Sequence, residues 1–322
     1  MPTRIRSRRQ TIHGRRALGA ALLIACSGAL AACGTAQPSS EVAPDGLIAL
    51  VGSAGKTAIK RWDATGADPI AVTAPKGGAT WISAGRSDVL AATLADGTTA
   101  TSDPIHPGTT LAWRIVKALD GTGVAVKGPD YFATWDPDGG LYAVLAGDLP
   151  SGGAIRVVLI DPTVGTAFEI PIDRSVVAAP PAWIDADRLA VVTGDAAAPV
   201  TTIVDTTTGA TSDGPAGARL LATSGNGKRV ATMDSQGAPV VIRDTAAWLG
   251  GDGSSVGSVA PPDGTTTAIA FALDATGQRI VVAWQAHDGT VTLAVHDGRS
   301  DWRRVAKPVI GAADGAVVAW QR

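Results

Sequence analysis

The feature that most constrains the fold is a strand-and-turn unit that recurs along the chain. Its clearest copy is ATWDPDGGLYA at residues 133–143, where a strand ends in Trp and an Asp-Pro-Asp-Gly turn leads into an apolar strand. A third strand at 155–161, a Thr-Val-Gly turn and a last strand at 167–172 complete the unit. Asp and Gly are residues that tight turns select. The unit therefore predicts a four-stranded antiparallel sheet.

Weaker copies of this unit follow in the rest of the chain. They begin near residues 181, 221 and 271, and the N-terminal end enters the pattern in its middle at residues 44–49. No long stretch keeps an apolar period of 3.6 residues, so the pattern predicts an all-β fold. The short apolar runs that we expect to form strands are Leu47–Val51, Val89–Leu94, Val157–Ile160, Leu189–Thr193, Thr202–Val204, Val240–Ile242, Ile280–Trp284, Val291–Val295 and Ala316–Trp320.

A four-stranded unit of this kind cannot bury both of its faces alone. Neighbouring units must therefore stack and close into a ring. Through Trp135–Gly139 the unit resembles the WD40-like repeat of TolB-type β-propellers, and degraded forms of the pattern extend the resemblance over residues 45–322. The resemblance implies a β-propeller of four-stranded blades. A pair of two-sheet sandwiches is the alternative architecture.

The number of blades follows less directly from the sequence. About 280 residues at roughly 40 per blade favour seven blades. The intervals from Trp81 to Trp135 and from Trp135 to Trp183 are 54 and 48 residues, so six blades with longer insertions is the second count. The pattern begins at a second strand, and the chain ends in another β run, Gly315–Arg322. We therefore expect the N- and C-terminal strands to pair and close the ring, which removes exposed sheet edges.

The N-terminal segment has the layout of a secretory signal. Residues 1–32 contain six arginines and no acidic residue, and an apolar stretch from Ala17 leads to Leu30-Ala31-Ala32-Cys33. This tetrapeptide resembles the lipobox of bacterial lipoproteins. The resemblance implies that residues 1–32 are removed and that Cys33 is diacylated. Residues 33–44 would then form the lipidated N-terminus and a flexible tether, and residues 45–322 the propeller.

Other interpretations of this segment remain open. The apolar stretch is shorter than the roughly 20 residues that span a bilayer, which disfavours a transmembrane anchor. An ordinary cleavage site with an incidental cysteine is another alternative. The pairs Arg8-Arg9 and Arg15-Arg16 also leave twin-arginine export open beside the general secretory route.

Charge and cysteine content narrow the function classes. Removal of residues 1–32 takes away six of the 27 basic residues and none of the 29 acidic ones, which leaves a net charge of −8. This charge argues against a nucleic-acid partner and against a polybasic membrane patch. Cys26 leaves with the signal and Cys33 is acylated, so no disulfide is expected. We expect an extracytoplasmic protein, anchored by lipid to the outer face of the cell membrane.

No pattern in the chain predicts a catalytic, cofactor or metal site. His287 and His296 each precede Asp-Gly and are predicted to lie in hairpin loops, and His106 has no ligand-like neighbour. VGSAGKT at 51–57 lacks the first glycine of a phosphate loop and is predicted to form a hairpin. Asp136–Gly139 and Asp185–Asp187 lack the ligand spacing of calcium loops, so turn-forming Asp is the better interpretation. Cys33 is the only site residue that the sequence predicts.

These observations favour a non-catalytic, membrane-tethered propeller that serves as a protein-interaction scaffold in the cell envelope. The partner of this scaffold would be a protein of envelope transport or of cell-wall assembly. The alternative is a propeller enzyme, or a receptor for a sugar or other small ligand, that uses the central channel. That alternative predicts acids, His or Arg converging at one mouth of the channel. A periplasmic solute-binding lipoprotein would need long helical patterns, which the sequence lacks.

Overall fold

The chain forms antiparallel sheets that are arranged around a common centre. Residues 41–322 make up one compact unit. The structure, a computed structural model, describes residues 46–53, 56–62, 70–85, 88–105, 110–116, 129–147, 149, 155–177, 179–195, 197–262, 266–298, 303–306, 309–312 and 315–320.

The described residues form six sheets, which we number as blades in chain order. Blade 1 contains β1 (Leu47–Ser53), β2 (Lys56–Arg61) and β3 (Ile70–Val72). Blade 2 contains β4 (Ala79–Ala84), β5 (Leu90–Leu94), β6 (Thr99–Ser102) and β7 (Trp113–Val116). Blade 3 contains β8 (Asp130–Trp135), β9 (Tyr142–Gly147), β10 (Ile155–Ile160) and β11 (Ala167–Ile172).

The second half of the ring repeats this order. Blade 4 contains β12 (Ala182–Trp183), β13 (Arg188–Asp195), β14 (Ala198–Asp205) and β15 (Thr211–Ala216). Blade 5 contains β16 (Leu220–Thr223), β17 (Arg229–Met233), β18 (Val240–Asp244), the helix α1 (Thr245–Leu249) and β19 (Gly257–Val259). Blade 6 contains β20 (Thr267–Leu273), β21 (Arg279–Gln285), β22 (Thr290–Asp297), β23 (Arg303–Ala306) and β24 (Val309–Ala312), and both β23 and β24 pair with β22. The last strand, β25 (Gly315–Trp320), joins blade 1 beside β1.

One strand of each blade lies at the centre of the ring. These inner strands are β25, β4, β8, β12, β16 and β20, and each contacts the inner strand of the next blade until β20 meets β25 again. This closed circle of contacts defines a β-propeller, as the repeat pattern predicted, and not a pair of sandwiches. The blade count is six and not the favoured seven. Successive inner strands from β4 onward begin 38 to 52 residues apart, so long connections take up the residues that a seventh blade would need.

Pairing of the two ends of the domain closes the ring, as the sequence predicted. β25 and β1 are antiparallel neighbours from Leu47↔Trp320 to Gly52↔Gly315. The C-terminal strand therefore supplies the inner strand of blade 1, in front of the second strand with which the N-terminal pattern begins.

Burial on both faces explains why the middle strands are continuous apolar runs. In β1, Leu47 and Ala49 contribute to the core against blade 6, whereas Ile48 and Leu50 contribute to the core against blade 2. The same alternation recurs in β9, where Leu145 packs toward blade 4. Successive side chains of a strand point to opposite faces. A strand between two packed blades must therefore be apolar at every position.

Candidate functional site

A central channel lined by the six inner strands is the candidate functional site. We call the mouth where the inner strands end the turn side, because the inner turns at 136–141, 184–188, 224–228 and 274–278 follow those strands. A cavity of the channel, about 100 Å³, lies toward this side. Its lining residues are Trp81, Ile82, Ser83, Ala84, Thr134, Trp135, Pro180, Pro181, Ala182, Trp183, Leu221, Ala222, Thr223, Phe271, Ala272, Leu273, Val318, Ala319 and Trp320.

A second cavity of about 40 Å³ lies toward the opposite mouth, which we call the loop side. The two cavities share five apolar lining residues, which form a waist between them. The waist residues are Trp81, Pro180, Leu221, Phe271 and Val318. The channel is therefore apolar at its middle.

Tryptophans at the ends of inner strands join neighbouring blades. A Cβ atom on Gly85 of blade 2 would lie 2.9 Å from Cγ of Trp135, so the indole of blade 3 rests directly on that glycine. Nε1 of Trp183 in blade 4 donates a hydrogen bond of 2.9 Å to the carbonyl oxygen of Thr134 in blade 3. The strand-end Trp thus packs blade 3 onto blade 2 and blade 4 onto blade 3.

Ring closure uses a third tryptophan of this kind. The guanidinium carbon of Arg279 in blade 6 lies 4.8 Å from the ring centroid of Trp320 in blade 1. Asp274 holds the same arginine from the other side, with 3.2 Å between Oδ2 and Nε. Cation–π contacts of this geometry are favourable. The last described residue is therefore attached to the blade before it.

Hydroxyl groups in the channel hydrogen-bond to the backbone of the inner strands, within one strand or between two. Oγ1 of Thr134 donates to the carbonyl oxygen of Phe132 at 2.8 Å, and Oγ1 of Thr223 donates to the carbonyl oxygen of Trp183. Oγ of Ser83 accepts a hydrogen bond of 3.3 Å from the backbone N–H of Trp135. Two indole N–H donors among the lining residues, on Trp81 and Trp135, have no hydrogen-bond partner in the part of the chain that the structure describes.

None of the described residues that line the channel is an acid, a histidine, a lysine or an arginine. The carboxylates nearest in sequence to the lining are Asp136 and Asp274, and both hold turns. Asp136 Oδ1 accepts from the N–H of Leu141 at 3.2 Å, and Asp274 Oδ1 accepts from the N–H of Gln278 at 2.9 Å. Burial raises the pKa of Asp136, and the N–H groups of its turn act in the opposite direction. The converging charged cluster expected for a channel enzyme is not found at the described lining.

Two titratable groups with raised pKa values lie between blades 2 and 3. Burial raises the pKa of Asp130 to about 7, against the effect of the Arg156 charge. Burial also raises the pKa of Tyr142, whose hydroxyl lies 2.9 Å from Oγ1 of Thr99. Neither residue lines the channel, so these groups belong to the packing of the two blades.

The residues that the sequence singled out are distributed as follows. Cys33 and His106 lie outside the described residues. His287 is exposed in a turn, as predicted, but His296 lies within β22, and its predicted place in a hairpin loop is wrong. β22 continues to Asp297 because His296 pairs with Arg304 of β23, and Asp297 pairs with Arg303.

The two patterns that could have been binding loops are turns. β1 and β2 pair antiparallel from Ile48↔Arg61 to Ser53↔Lys56, so residues 51–53 and 56–57 belong to two paired strands, while residues 54–55 lie outside the described residues. Asp185 accepts hydrogen bonds from the N–H of Asp187 at 3.1 Å and from Arg188 within its own turn. No group of three or more acidic, His or Cys side chains with metal-binding geometry occurs among the described residues. In the same part of the chain, no helix has the length and apolarity needed to cross a bilayer.

Sequence analysis did not identify the channel residues as a set. Their only sequence signal is position, because each belongs to the first strand of its repeat unit. That signal was strongest in blade 3, where Trp135 stands before a clear Asp-Pro-Asp-Gly turn. The weaker copies near residues 181, 221 and 271 also marked β12, β16 and β20, whereas β4 was marked only by Trp81.

Comparison with known proteins supports the architecture. No family model matches the sequence, and no curated protein matches it. Among solved structures, TolB from Acinetobacter baumannii aligns with a TM-score of 0.62 at 13% identity, over 85% of this chain and 66% of that chain. The Cps50 (Swd1) β-propeller domain from Myceliophteria thermophila aligns with a TM-score of 0.45 at 16% identity, over 69% of this chain and 66% of that chain.

A third structure is a quinoprotein alcohol dehydrogenase-like protein from Bacteroides thetaiotaomicron. It aligns with a TM-score of 0.47 at 9% identity, over 85% of this chain and 69% of that chain. The chain thus spans about two thirds of the length of each of these proteins. At such identities a shared structure is a shared fold only. The similarity to TolB therefore shows that this chain has a TolB-like β-propeller fold.

Proposed function

We propose that this chain is a lipid-anchored β-propeller that serves as a non-catalytic protein-interaction module on the outer face of the cell membrane. Its partner would be another envelope protein, in transport across the envelope or in cell-wall assembly. The observation that carries the proposal is the preformed turn side. There, the N–H of Asn226 in blade 5 donates to the carbonyl oxygen of Ala275 in blade 6 at 2.9 Å. Its Nδ2 donates to the carbonyl oxygen of Thr276 at 3.1 Å.

Such contacts hold the turns of different blades in fixed positions. A binding surface that is ordered before the partner arrives loses less conformational entropy on association. The turn side also carries exposed carboxylates, among them Asp138, Asp187 and Asp252. We therefore expect the partner to present a basic surface, since electrostatic complementarity steers association and selects partners.

The proposed anchor at Cys33 is compatible with a turn side that lies near the bilayer. Leu47 pairs with Trp320, so the described chain begins on the turn side. A tether of about ten residues has a root-mean-square length of roughly 15–20 Å. With Cys33 diacylated, the turn side would lie near the bilayer, and the partner would be an envelope protein close to that membrane.

The experiment is capture of partners from detergent-solubilised membranes by the intact chain. The test variant carries Asp138→Arg and Asp187→Arg on the turn side, and the matched control carries Asp173→Arg and Asp234→Arg at exposed positions on the loop side. We expect a specific partner that the turn-side variant captures at least tenfold less than the control does. Equal capture by the two variants would contradict the turn-side surface, and capture of nothing specific would contradict the module itself.

The anchor has its own measurement. Cys33→Ala should move the chain from the membrane fraction to the soluble fraction of the envelope, whereas Cys26→Ala should leave it in the membrane. Because Cys33 alone would carry both acyl chains, its replacement removes the whole lipid anchor from an otherwise exported protein. Retention of the Cys33→Ala variant in the membrane would argue against lipid anchoring.

The alternative function is use of the central channel by an enzyme, or by a receptor for a sugar or other small ligand. The described lining of the channel contains no acidic or basic side chain that could take part in a reaction.

A further inference from the structure

A third cavity, of about 500 Å³, opens at the loop-side mouth of the channel, where blade 1 meets blades 2 and 6. Thr80, near the start of β4, lines it in blade 2, and Ile269, near the start of β20, lines it in blade 6. Gly52 of β1 and Ala316 of β25 line it in blade 1. Pockets that hold small ligands occupy roughly 300–1,000 Å³. This cavity is therefore large enough for a small organic molecule.

The two inner strands that flank blade 1 each contain a β-bulge at the level of this cavity. The pairing of β4 with β5 shifts by one residue at Thr80, and the pairing of β20 with β21 shifts by one residue at Ile269. Both extra residues line the cavity. Bulges interrupt the strand pairing and redirect a side chain, and they are over-represented next to active sites. The paired irregularities therefore mark this mouth as a place where the chain departs from regular pairing to shape a cavity.

The wall of the cavity is mainly aliphatic and uncharged. Leu50, Ile269 and Val317 supply branched side chains, and the last two are only half-buried. None of the described lining residues is charged, so an ionic ligand would lose hydration without gaining a counter-charge. A Cβ atom on Gly52 would meet no atom within 4 Å, so there is free space beside this glycine. The wall thus suits an uncharged ligand with an aliphatic body.

Three neutral polar side chains of the lining retain hydrogen-bonding capacity. Gln285 is half-buried, and its carboxamide forms no hydrogen bond with another described residue. Oγ1 of Thr57 accepts from the N–H of Ala79 at 3.3 Å, which leaves its hydroxyl hydrogen to donate. Oγ1 of Thr80 donates to the carbonyl oxygen of Thr93 at 3.2 Å, which leaves its oxygen to accept. This set complements an amide group, whose C=O accepts and whose N–H donates.

We propose that the loop-side cavity binds an uncharged small molecule with an aliphatic body and an amide group. The carboxamide of Gln285 pairs with the ligand amide, the hydroxyl of Thr57 donates to a ligand carbonyl oxygen, and the oxygen of Thr80 accepts from a ligand N–H. The aliphatic body packs against Ile269 and Val317. The proposal rests on the receptor alternative and is independent of partner capture, because this mouth lies opposite the turn side.

The experiment follows the methyl signals of ¹³C-labelled isoleucine by NMR in the intact chain, held in phospholipid nanodiscs so that no detergent competes for the cavity. The probe is N-acetyl-leucinamide. Two comparison probes are N-acetyl-leucine, which is negatively charged, and N-acetyl-glycinamide, which lacks the aliphatic body. We expect a saturable shift of the Ile269 signal with the probe and at least tenfold weaker binding of the two comparison compounds. The signal of Ile184, which belongs to a turn-side inner turn, should stay in place.

Variants link the shift to the cavity. Gln285→Leu keeps the size of the side chain but removes its amide, and it should weaken binding of the probe at least tenfold. The matched control Gln278→Leu makes the same change at an exposed turn-side position of the same blade, and it should bind within twofold of the original chain. Gly52→Leu should fill the cavity and abolish binding, which provides a second test if Gln285→Leu fails to fold. Its control is Gly140→Leu, because a Cβ atom on Gly140 also meets no atom within 4 Å.

Each outcome decides the proposal. The absence of saturable binding of N-acetyl-leucinamide would overturn it, and so would equal binding of either comparison compound. Unchanged affinity in a folded Gln285→Leu or Gly52→Leu variant would place the binding elsewhere and overturn it as well. The variant with Asp138→Arg and Asp187→Arg should bind the probe as the original chain does. Loss of partner capture and loss of probe binding are therefore measured separately, and the two proposals fail separately.

Discussion

At the scale of single residues, the packing between blades depends on glycine, because its lack of a side chain leaves room for a ring from the next blade. Gly85 follows the inner strand of blade 2 at the point where the indole of Trp135 crosses from blade 3. An added Cβ would lie 2.9, 3.0 and 3.1 Å from Cγ, Cδ2 and Cδ1 of that ring. Contacts this short force one of the two groups to move. The ring, which is buried, has little room to do so.

We expect Gly85→Ala to reduce the free energy of unfolding by about 1–3 kcal/mol, the usual cost of overpacking a core. The measurement is chemical denaturation followed by circular dichroism. Gly140→Ala is the control, because an added Cβ there meets no atom within 4 Å. A Gly85→Ala variant as stable as the control would show that Trp135 moves aside freely.

The carboxyl of Asp130 makes stability depend on pH. Burial raises its pKa to about 7 in the folded chain. The pKa of an Asp in an unfolded chain is about 3.9. The folded state therefore binds the proton more tightly than the unfolded state does. The stability from this group is fully present below about pH 4 and is lost as the pH rises through 7.

Asp130→Asn should remove this dependence, because the amide stays neutral. Above pH 7 we expect the variant to be more stable than the original chain by on the order of 1–3 kcal/mol, toward the lower end since the residue is only half-buried. Denaturation at pH 5 and pH 8 measures the difference, with the exposed Asp234→Asn as control. A stability difference that is the same at both pH values would exclude Asp130 as the source.

At the scale of elements, the inner turns of blades 5 and 6 make close contacts with the preceding blade. In blade 5, Gly227 has a φ of 69°, and its hydrogen atoms leave room for the carbonyl oxygen of Ile184 in blade 4. In blade 6, Gly277 lies against the side chain of Arg229 in blade 5 in the same manner. The Asp-Gly and Asn-Gly-type turns of the repeat thus serve two purposes: they reverse the chain, and they allow blades to approach closely.

Two glycine variants separate these purposes. Gly227 and Gly237 both have positive φ, but a Cβ on Gly227 would lie 2.5 Å from the Ile184 oxygen, whereas one on Gly237 meets nothing within 4 Å. Gly237→Ala should cost about 1 kcal/mol from the left-handed backbone alone. Gly227→Ala should cost at least about 1–2 kcal/mol more, since overpacking is added.

Thermal denaturation of the two variants side by side tests this. Equal losses for Gly227→Ala and Gly237→Ala would mean that the turn of blade 5 does not depend on its contact with blade 4.

At the scale of the whole molecule, stability depends on closing the ring. β25 contributes Ala316, Val318 and Trp320 to the core between blades 1 and 6, and Ala319 to the core between blades 1 and 2. Its removal would open two cores and one wall of the channel at once. The other blades lie in sequence order and have no such long-range inner strand.

Deletion of residues 315–322 should therefore abolish the single cooperative unfolding transition. A synthetic peptide of the same residues should restore it, whereas a scrambled peptide should not. The readout is calorimetry of the truncated chain with each peptide. A truncated chain that unfolds cooperatively without peptide would show that the ring does not need its C-terminal strand.

The sequence predicted much of this architecture, for identifiable reasons. Eight of the nine apolar runs singled out lie wholly within strands, because a strand buried on both faces must be apolar throughout, and Val89–Leu94 begins one residue before β5. The blade 3 turn was legible because Asp136, Pro137 and Gly139 each have a strong conformational preference. β4 was marked only by Trp81 and was not identified as a strand, since inner strands such as ATWISA mix small, polar and aromatic residues. His296 was misplaced because an Asp-Gly pair does not show how far a strand extends.

What the sequence alone determined is local: strands where apolar runs are continuous, turns where Asp and Gly recur, and a ring because four-stranded units with two apolar faces must stack. The tertiary structure decided the rest. Six blades close the ring because the connections between repeats are long, a length effect that strand patterns do not carry. The channel exists only when six inner strands meet, so its lining combines residues as far apart in sequence as Trp81 and Trp320. Features that form by contact between blades leave no pattern in the sequence of a single blade.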